Sequence, residues 1–348
     1  MSPHDGGVAA LSFPHAAPPP PGTVVEVAPG VRWLRMPLPF ALDHINLWLL
    51  AEGDGWTIVD SGLNTQETKT LWSKVLADAL DGKPVKRLLV THFHPDHIGL
   101  AGWLTETLGV PLWCTETEWL FARMLSLDDS DGFVANALDF YRRTGMSEAM
   151  LAVFVDRRNP YRARVSAIPH RFHRLADGGS LAIGEQEWRV IVGRGHAPEH
   201  ACLYAPGLNT FIAGDMVLPK ISPNVSVWPQ EPDGDPLGLY LASLDKIKHA
   251  VPANALVLPS HGLPFHGLDH RILQLAAHHE ARLADVEAHC ATPRTTAELV
   301  PILFRRALDA HQLGFAIGEA LAHLQHLVRL KRLQRSERVD GVYLYRRP

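Results

Sequence analysis

Thr91-His92-Phe93-His94-Pro95-Asp96-His97-Ile98-Gly99 contains three imidazoles and a carboxylate within six residues. The stretch follows the apolar run Leu88-Leu89-Val90, which predicts a strand that ends where this loop begins. Neutral imidazole nitrogen and carboxylate oxygen are ligands that Zn²⁺, Fe²⁺ and Mn²⁺ accept. With 20 histidines among 348 residues, chance pairs are expected, but this spacing at the end of a strand is not. The loop therefore predicts a metal site.

Three more candidate ligands follow other apolar runs that predict strands. They are His196 after Val190-Ile191-Val192, Asp215 after Phe211-Ile212-Ala213, and His261 after Leu256-Val257-Leu258. Each has a neighbouring glycine, which permits close backbone approach. Each residue taken alone is typical of an ordinary turn. Because one loop alone would leave most of a metal's coordination sphere to solvent, ligands from other strand ends are expected.

Together these motifs resemble the metallo-β-lactamase superfamily. The shared pattern is His-x-His-x-Asp-His, then Gly-His, then Gly-Asp, and a late Ser-His-Gly, and the resemblance covers about residues 23–267. It implies an α/β fold of layered type, an αββα sandwich with the metal site at one edge. It also implies two divalent metal ions, with Zn favoured and Fe or Mn as alternatives.

The resemblance implies a role for each site residue. The metal ligands would be His92, His94 and His196 for one ion and Asp96, His97 and His261 for the other, with Asp215 bridging both. Asp60, at an earlier strand end, would accept a hydrogen bond from a ligand histidine and orient it. His200 would contact a metal ligand without binding metal itself, or would lie at the surface. Asp96 is the catalytic acid/base candidate, acting beside a hydroxide held between two cations about 3.5 Å apart.

Other branches of the superfamily fit the sequence less well. Asp96 and His97 are both present, and position 215 is Asp and not Cys, which is similar to the binuclear hydrolases and unlike antibiotic-hydrolysing enzymes with a Cys ligand. The chain lacks the flavodoxin module that flavodiiron proteins carry. Persulfide dioxygenases resemble a mononuclear iron version of the site, whereas the intact Asp96 and His97 favour two metals.

Composition excludes several other classes of protein. A net charge of −4 argues against a generally basic nucleic-acid binder. No apolar run approaches the roughly 18 residues of a membrane span, and the first 22 residues lack the pattern of a secretory signal, so we expect a cytoplasmic protein without a membrane contact. The three cysteines, Cys114, Cys202 and Cys290, are too far apart for a metal motif and are expected to be buried thiols.

The chain divides into three main parts by composition. Residues 1–22 are rich in Pro, Gly and Ala and predict a disordered arm. Residues 23–267 form the metallo-β-lactamase domain, with a helical insertion at about 130–167 that is either a packed satellite or a lid over the metal loop. Residues 268–348 predict a helical C-terminal domain that ends in a hairpin and resembles a winged helix. Its first helix, over residues 268–290, is expected to place His278, His279 and His289 on a solvated face, and a later helix is expected over residues 318–333.

The substrate is the least constrained part of the interpretation. The Pro-rich loop 219–229 and the helix after it supply candidate pocket residues: Lys220, Asn224, Trp228 and Tyr240. The glyoxalase II-like branch implies a small-molecule thioester, ester or lactone. The alternative is an endoribonuclease acting on phosphodiesters, because a related C-terminal module occurs in a branch that includes one and the end of this chain is basic. For this module, homodimerisation or pocket closure is favoured over nucleic-acid binding.

Overall fold

Two β-sheets packed face to face form the centre of the molecule. The computed structural model describes residues 10–305, 308 and 310–348. The first sheet has seven strands in chain order: β1 (Val24–Ala28), β2 (Val31–Pro37), β3 (His44–Glu52), β4 (Gly55–Val59), β5 (Val85–Leu89), β6 (Leu112–Cys114) and β7 (His173–Arg174). The second has five, in the order β12-β11-β10-β9-β8: β8 (Ser180–Ile183), β9 (Gln186–Gly193), β10 (His200–Ala205), β11 (Thr210–Gly214) and β12 (Leu256–Pro259).

Helices cover the outer faces of both sheets. The first sheet carries α1 (Gln66–Asp78), α2 (Pro95–Ile98), α3 (Ala101–Leu108) and α4 (Glu116–Leu127), and the second carries α7 (Pro236–Ala250) and α8 (Leu268–His289). Trp33, Trp48 and Trp188 lie in the core between the sheets. Trp72 packs beneath the first sheet and Phe211 beneath the second. This layering confirms the predicted αββα sandwich, since each sheet buries apolar side chains on both faces.

Strand direction brings the predicted ligands to one edge. Strands β4 and β5 run parallel, so Asp60 and the loop from Thr91 follow at the same end. In the second sheet β9 and β11 both pair antiparallel with β10, and β12 runs parallel with β11. The carboxyl ends of β9, β11 and β12 therefore lie together. Ligands at such strand ends meet in the crevice at the edge of the sheets.

The helical insertion packs against the C-terminal domain. Helices α5 (Asp131–Arg143) and α6 (Glu148–Arg157) occupy the predicted stretch. The C-terminal domain continues from α8 through α9 (Thr296–Leu303), α10 (Ala310–Arg329), β13 (Gln334–Glu337) and β14 (Tyr343–Arg346). Met146 and Leu151 of the insertion share a buried cluster with Val300 and Ile317. The helices and hairpin follow the order expected for this domain, while its likeness to a winged helix stays a prediction.

Two sequence expectations outside the site need correction. The arm predicted for residues 1–22 is wrong for residues 10–22: Ser12 pairs with His266 through backbone hydrogen bonds, and the Phe13 ring lies 6.4 Å from that of Phe265. Residues 1–9 lie outside the described residues. His279 was expected on a solvated face of α8 but is fully buried beside His323.

The three cysteines are free and buried, as predicted. Among the helices of the described residues, none combines the length and apolarity needed to cross a membrane.

Candidate metal centre

The seven predicted ligands converge at the edge of the two sheets. Their nitrogen and oxygen atoms form two groups, and within each group these atoms lie within 4.8 Å of one another. The first group is His92, His94, His196 and Asp215, and the second is Asp96, His97 and His261. These are the two sets that the superfamily resemblance implied. That these residues bind metal is a prediction.

The first group points three ring nitrogens at one place. His92 Nε2 lies 2.9 Å from His94 Nδ1 and 3.2 Å from His196 Nε2. His196 Nε2 also lies 3.4 Å from Asp215 Oδ2. Burial, followed by the nearby charge of His196, lowers the pKa of His94 to about 3. The His94 ring is therefore neutral near pH 7 and can offer a lone pair to a cation.

Asp215 connects the first group to the second. Its Oδ2 lies 3.6 Å from His97 Nε2, and its Oδ1 lies 3.4 Å from His261 Nε2. Asp96 Oδ2 completes the second group at 3.4 Å from His261 Nε2 and 3.7 Å from His97 Nε2. A single carboxylate thus faces histidines of both groups with its two oxygens. This is the arrangement that a bridging ligand requires.

Buried polar atoms in the site lack partners of the kind a cation would supply. His97 Nε2 and Asp215 Oδ1 are buried and make no hydrogen bond to any described residue. Burial alone would lower the pKa of His261, yet Asp215 and Asp96 raise it to about 10. The two carboxylates, Asp215 and Asp96, therefore favour positive charge between these histidines. Since an unpaired buried polar atom is costly, the residues fit a divalent ion.

Acceptors behind the rings fix which nitrogen faces the site. Asp60 Oδ2 lies 2.8 Å from His97 Nδ1, as predicted for Asp60. The carbonyl of Asn224 lies 2.8 Å from His196 Nδ1, and the carbonyl of His44 lies 2.7 Å from His261 Nδ1. Each ring can donate Nδ1–H to its acceptor and present Nε2 to the metal groups. Such partners orient ligand histidines and raise their basicity.

His200 supports the site without joining either metal group. It is fully buried, and its Nε2 accepts the backbone N–H of Asp215 at 3.0 Å. Its ring also stacks on His92, with centroids 4.6 Å apart. Gly214 has φ +54°, and a Cβ there would lie 2.3 Å from the His200 ring. Only glycine permits this approach, so Gly214 and His200 together fix the position of the Asp215 backbone.

The family is decided by two matches along the chain. The family model described as "Metallo-beta-lactamase superfamily" matches residues 41–261, and the model described as "Metallo-beta-lactamase-like, C-terminal domain" matches residues 283–348. The chain belongs to the metallo-beta-lactamase superfamily. The resemblance based on the His and Asp motifs is thereby confirmed. The C-terminal match begins inside α8, 15 residues after the boundary predicted at residue 268.

Similar proteins of known structure cover nearly the whole chain. A beta-lactamase domain protein from Burkholderia ambifaria is 46% identical, with 97% of this chain and 98% of that one covered and a TM-score of 0.90. A metallo-beta-lactamase family protein from Thermus thermophilus is 30% identical, with 93% and 100% covered and a TM-score of 0.79. "Probable metallo-hydrolase YqjP" from Bacillus subtilis (strain 168) is 24% identical over 299 residues, 84% of this chain and 90% of that protein. The chain is therefore similar over most of its length to a probable metallo-hydrolase.

The four residues predicted for the substrate pocket lie in four different surroundings. Trp228 lines a cavity beside His94, with ring centroids 6.4 Å apart. Tyr240 is fully buried under the second sheet and donates its hydroxyl to the Met216 carbonyl, so its assignment to the substrate pocket is wrong. Lys220 is exposed and does not line the cavity beside His94. The side chain of Asn224 bonds to Glu319 and Ser226, and its carbonyl serves His196.

Glu118 is a supporting residue that the sequence did not reveal. It is fully buried on α4 and accepts the backbone N–H groups of Phe93 and Glu199. Burial raises its pKa to about 8, although both backbone hydrogen bonds lower it. A glutamate on an amphipathic helix is usually solvated, so no local pattern marks this one. The carbonyls of His44 and Asn224 were missed for a similar reason, because any residue offers a carbonyl.

Proposed function

We propose that this protein hydrolyses a small-molecule thioester, ester or lactone with two divalent ions, most favourably Zn²⁺, held by the seven His and Asp residues. The observation that carries the proposal is Asp215, whose two oxygens lie 3.4 Å from His196 and His261 in the two different groups. When bound, the two metal ions would make hydroxide available at neutral pH and would stabilise the negative charge that develops on a carbonyl oxygen.

The chain's own residues position the reactants. Asp96 is the most accessible carboxylate of the site, with 21% of its side chain exposed against 9% for Asp215. A group at this position can hold a proton at Oδ2 and pass it to the leaving group. In the net reaction the oxygen of water bonds to the acyl carbon and the C–O or C–S bond breaks. The departing alcohol or thiol takes up a proton.

The alternative activity, cleavage of phosphodiesters in RNA, has less support. Three of the basic residues near the end of the chain that suggested it are engaged by carboxylates. Arg332 pairs with Glu287, Arg335 with Asp233, and Arg338 with Asp340, each at 2.6–2.7 Å. A paired guanidinium offers less net charge to a phosphate backbone. A small neutral or weakly charged substrate therefore suits the molecule better.

A substrate panel separates the two activities. Purified protein loaded with Zn²⁺ or Mn²⁺ would be assayed against thioesters, lactones, carboxylic esters and single-stranded RNA. We expect turnover of at least one acyl substrate that is abolished by a chelator and restored by added metal. Cleavage of RNA with no turnover of any acyl substrate would contradict the proposal and favour the nuclease.

A further inference from the structure

A cavity of about 220 Å³ opens beside the first metal group, and five separate parts of the chain build it. His94 and Pro95 of the metal loop form one wall. Further apolar wall residues come from α4, the insertion, the loop after β11 and α10, among them Phe121, Leu125, Phe133, Ala137, Trp228 and Phe315. The insertion and the C-terminal domain thus meet over the metal loop, where the sequence allowed either a packed satellite or a lid.

Aromatic contacts connect the cavity wall directly to a predicted metal ligand. The Phe93 ring lies 4.8 Å from that of Phe121, and the Trp228 ring lies 6.4 Å from His94. Trp228 in turn lies 6.1 Å from Phe315 of α10. A molecule in this cavity therefore touches the ring of His94 at one end. Its reactive group would lie at the metal groups while the rest of it lies among apolar side chains.

The size of the cavity limits its occupant. A cavity of about 150 Å³ accommodates benzene, which corresponds to roughly 25 Å³ per carbon. At that density 220 Å³ suits a group of about nine carbons. Two cationic side chains line the cavity. Arg158 forms ion pairs with Asp129 and Asp131, and the Arg164 guanidinium lies 5.5 Å from the centroid of the Phe40 ring. Burial of apolar surface is therefore the main favourable contribution of the cavity to the binding free energy.

We propose that this cavity binds the apolar acyl group of the substrate, an alkyl or aryl group of about nine carbons. The assignment rests on the proposed hydrolase function and names the substrate class within it. Its ligand is an ester or thioester of a medium-chain or aromatic carboxylic acid, with the scissile bond next to His94. The insertion and the C-terminal domain then set the acyl length, and the metal groups perform the same reaction in each case.

A chain-length series tests the cavity through catalysis. Zinc-loaded protein would be assayed with thioesters from acetyl to dodecanoyl. We expect kcat/KM to rise roughly fourfold per methylene up to about nine carbons, because each buried CH₂ contributes about 0.8 kcal/mol, and then to level off. Ala137→Trp fills the cavity and should remove the dependence of kcat/KM on chain length. Ala135→Trp, at an exposed position of the same helix, is the matched control.

A binding measurement keeps the cavity testable if no thioester is turned over. Calorimetry with 1-octanol, which has no scissile bond, should detect binding to the wild-type protein and to Ala135→Trp but at least tenfold weaker binding to Ala137→Trp. Octanol binding without turnover of any thioester, ester or lactone would support the cavity and contradict the proposed hydrolysis. Turnover that is independent of chain length, or octanol binding that is unchanged in Ala137→Trp, would overturn the acyl site while the hydrolase stands.

Discussion

The carboxylate of Glu118 accepts the backbone N–H of Phe93 at 2.8 Å and so ties α4 to the loop that holds His92 and His94. Its other oxygen accepts the N–H of Glu199 at 2.5 Å, three residues beyond His196. One buried carboxylate therefore sets the separation of two loops that both supply the first metal group. Its position explains how His92 and His196, which lie 104 residues apart in sequence, keep a fixed separation in the folded chain.

Replacing Glu118 should lower both the stability of the protein and its affinity for metal. Glu118→Ala leaves two buried N–H groups unpaired, and we expect the free energy of unfolding to fall by about 3 kcal/mol. Because the first group loses its alignment, its metal affinity should fall at least tenfold. Urea unfolding and a chelator competition measure the two effects. Glu116→Ala, a half-exposed residue on the same helix, should change neither, and equal effects of the two substitutions would contradict the assignment.

The charge of Asp60 should contribute more to metal affinity than the shape of its side chain. Asp60 has φ +63°, a conformation that Asn tolerates, so Asp60→Asn isolates the loss of charge opposite His97 Nδ1. We expect a tenfold to hundredfold loss in metal affinity, roughly the range found for partners of ligand histidines. Chelator competition with Zn²⁺ measures it. Asp54→Asn, at an exposed turn before β4, provides the control. Wild-type affinity in Asp60→Asn would rule out an orienting role for Asp60.

Glu319 of α10 should make stability depend on pH. Burial raises its pKa to about 6, although Arg282 and Asn224 lower it. The native state therefore binds this proton more tightly than the unfolded state, whose ordinary value is about 4.3. Its contribution to stability is present below about pH 4 and is lost as the pH rises through 6, by about 2 kcal/mol in total.

Glu319→Gln removes that titration. Comparing urea unfolding at about pH 4.5 and about pH 7.5, we expect the variant to lose about 2 kcal/mol less than the wild type over this interval. Glu280→Gln, an exposed residue of α8, should follow the wild type. Because Glu319 also accepts from Asn224, whose carbonyl faces His196, the same variant reports on the link between the C-terminal domain and the first metal group. If the free energy of unfolding depends on pH in the same way in the wild type and in Glu319→Gln, the raised pKa of buried Glu319 is contradicted.

The sequence predicted the parts of the molecule that local patterns encode. Strands β9 and β11 contain the apolar runs 190–192 and 211–213, each followed by a Gly and then, within three further residues, by a polar ligand, so both their existence and their chemistry could be read locally. Helix α10 was predicted from Gly318, yet it begins at Ala310. Burial of Ala316 and Ile317 against the insertion stabilises the earlier turns and outweighs the unfavourable helix propensity of glycine.

Residues whose role depends on tertiary contacts could not be predicted. Tyr240 lies on the inner face of α7, and whether that face meets substrate or core depends on how the helix docks. His279 is similar, because its partner His323 lies 44 residues away on α10. Trp228 was correctly expected near the metal loop because its Pro-rich segment connects two ligands. Phe315 and the other cavity residues come from elements that meet only in the folded chain.

The most direct test of the central claim is the metal content of the wild type and Asp215→Ala, measured by elemental analysis after loading with Zn²⁺ and removal of free ions. Asp215 faces both groups, so we expect about two ions per chain in the wild type, one or fewer in the variant, and a loss of acyl hydrolysis of at least a hundredfold. Asp245→Ala, an exposed aspartate of α7, is the control. Equal metal content and unchanged turnover in Asp215→Ala would contradict a two-metal centre bridged by this residue.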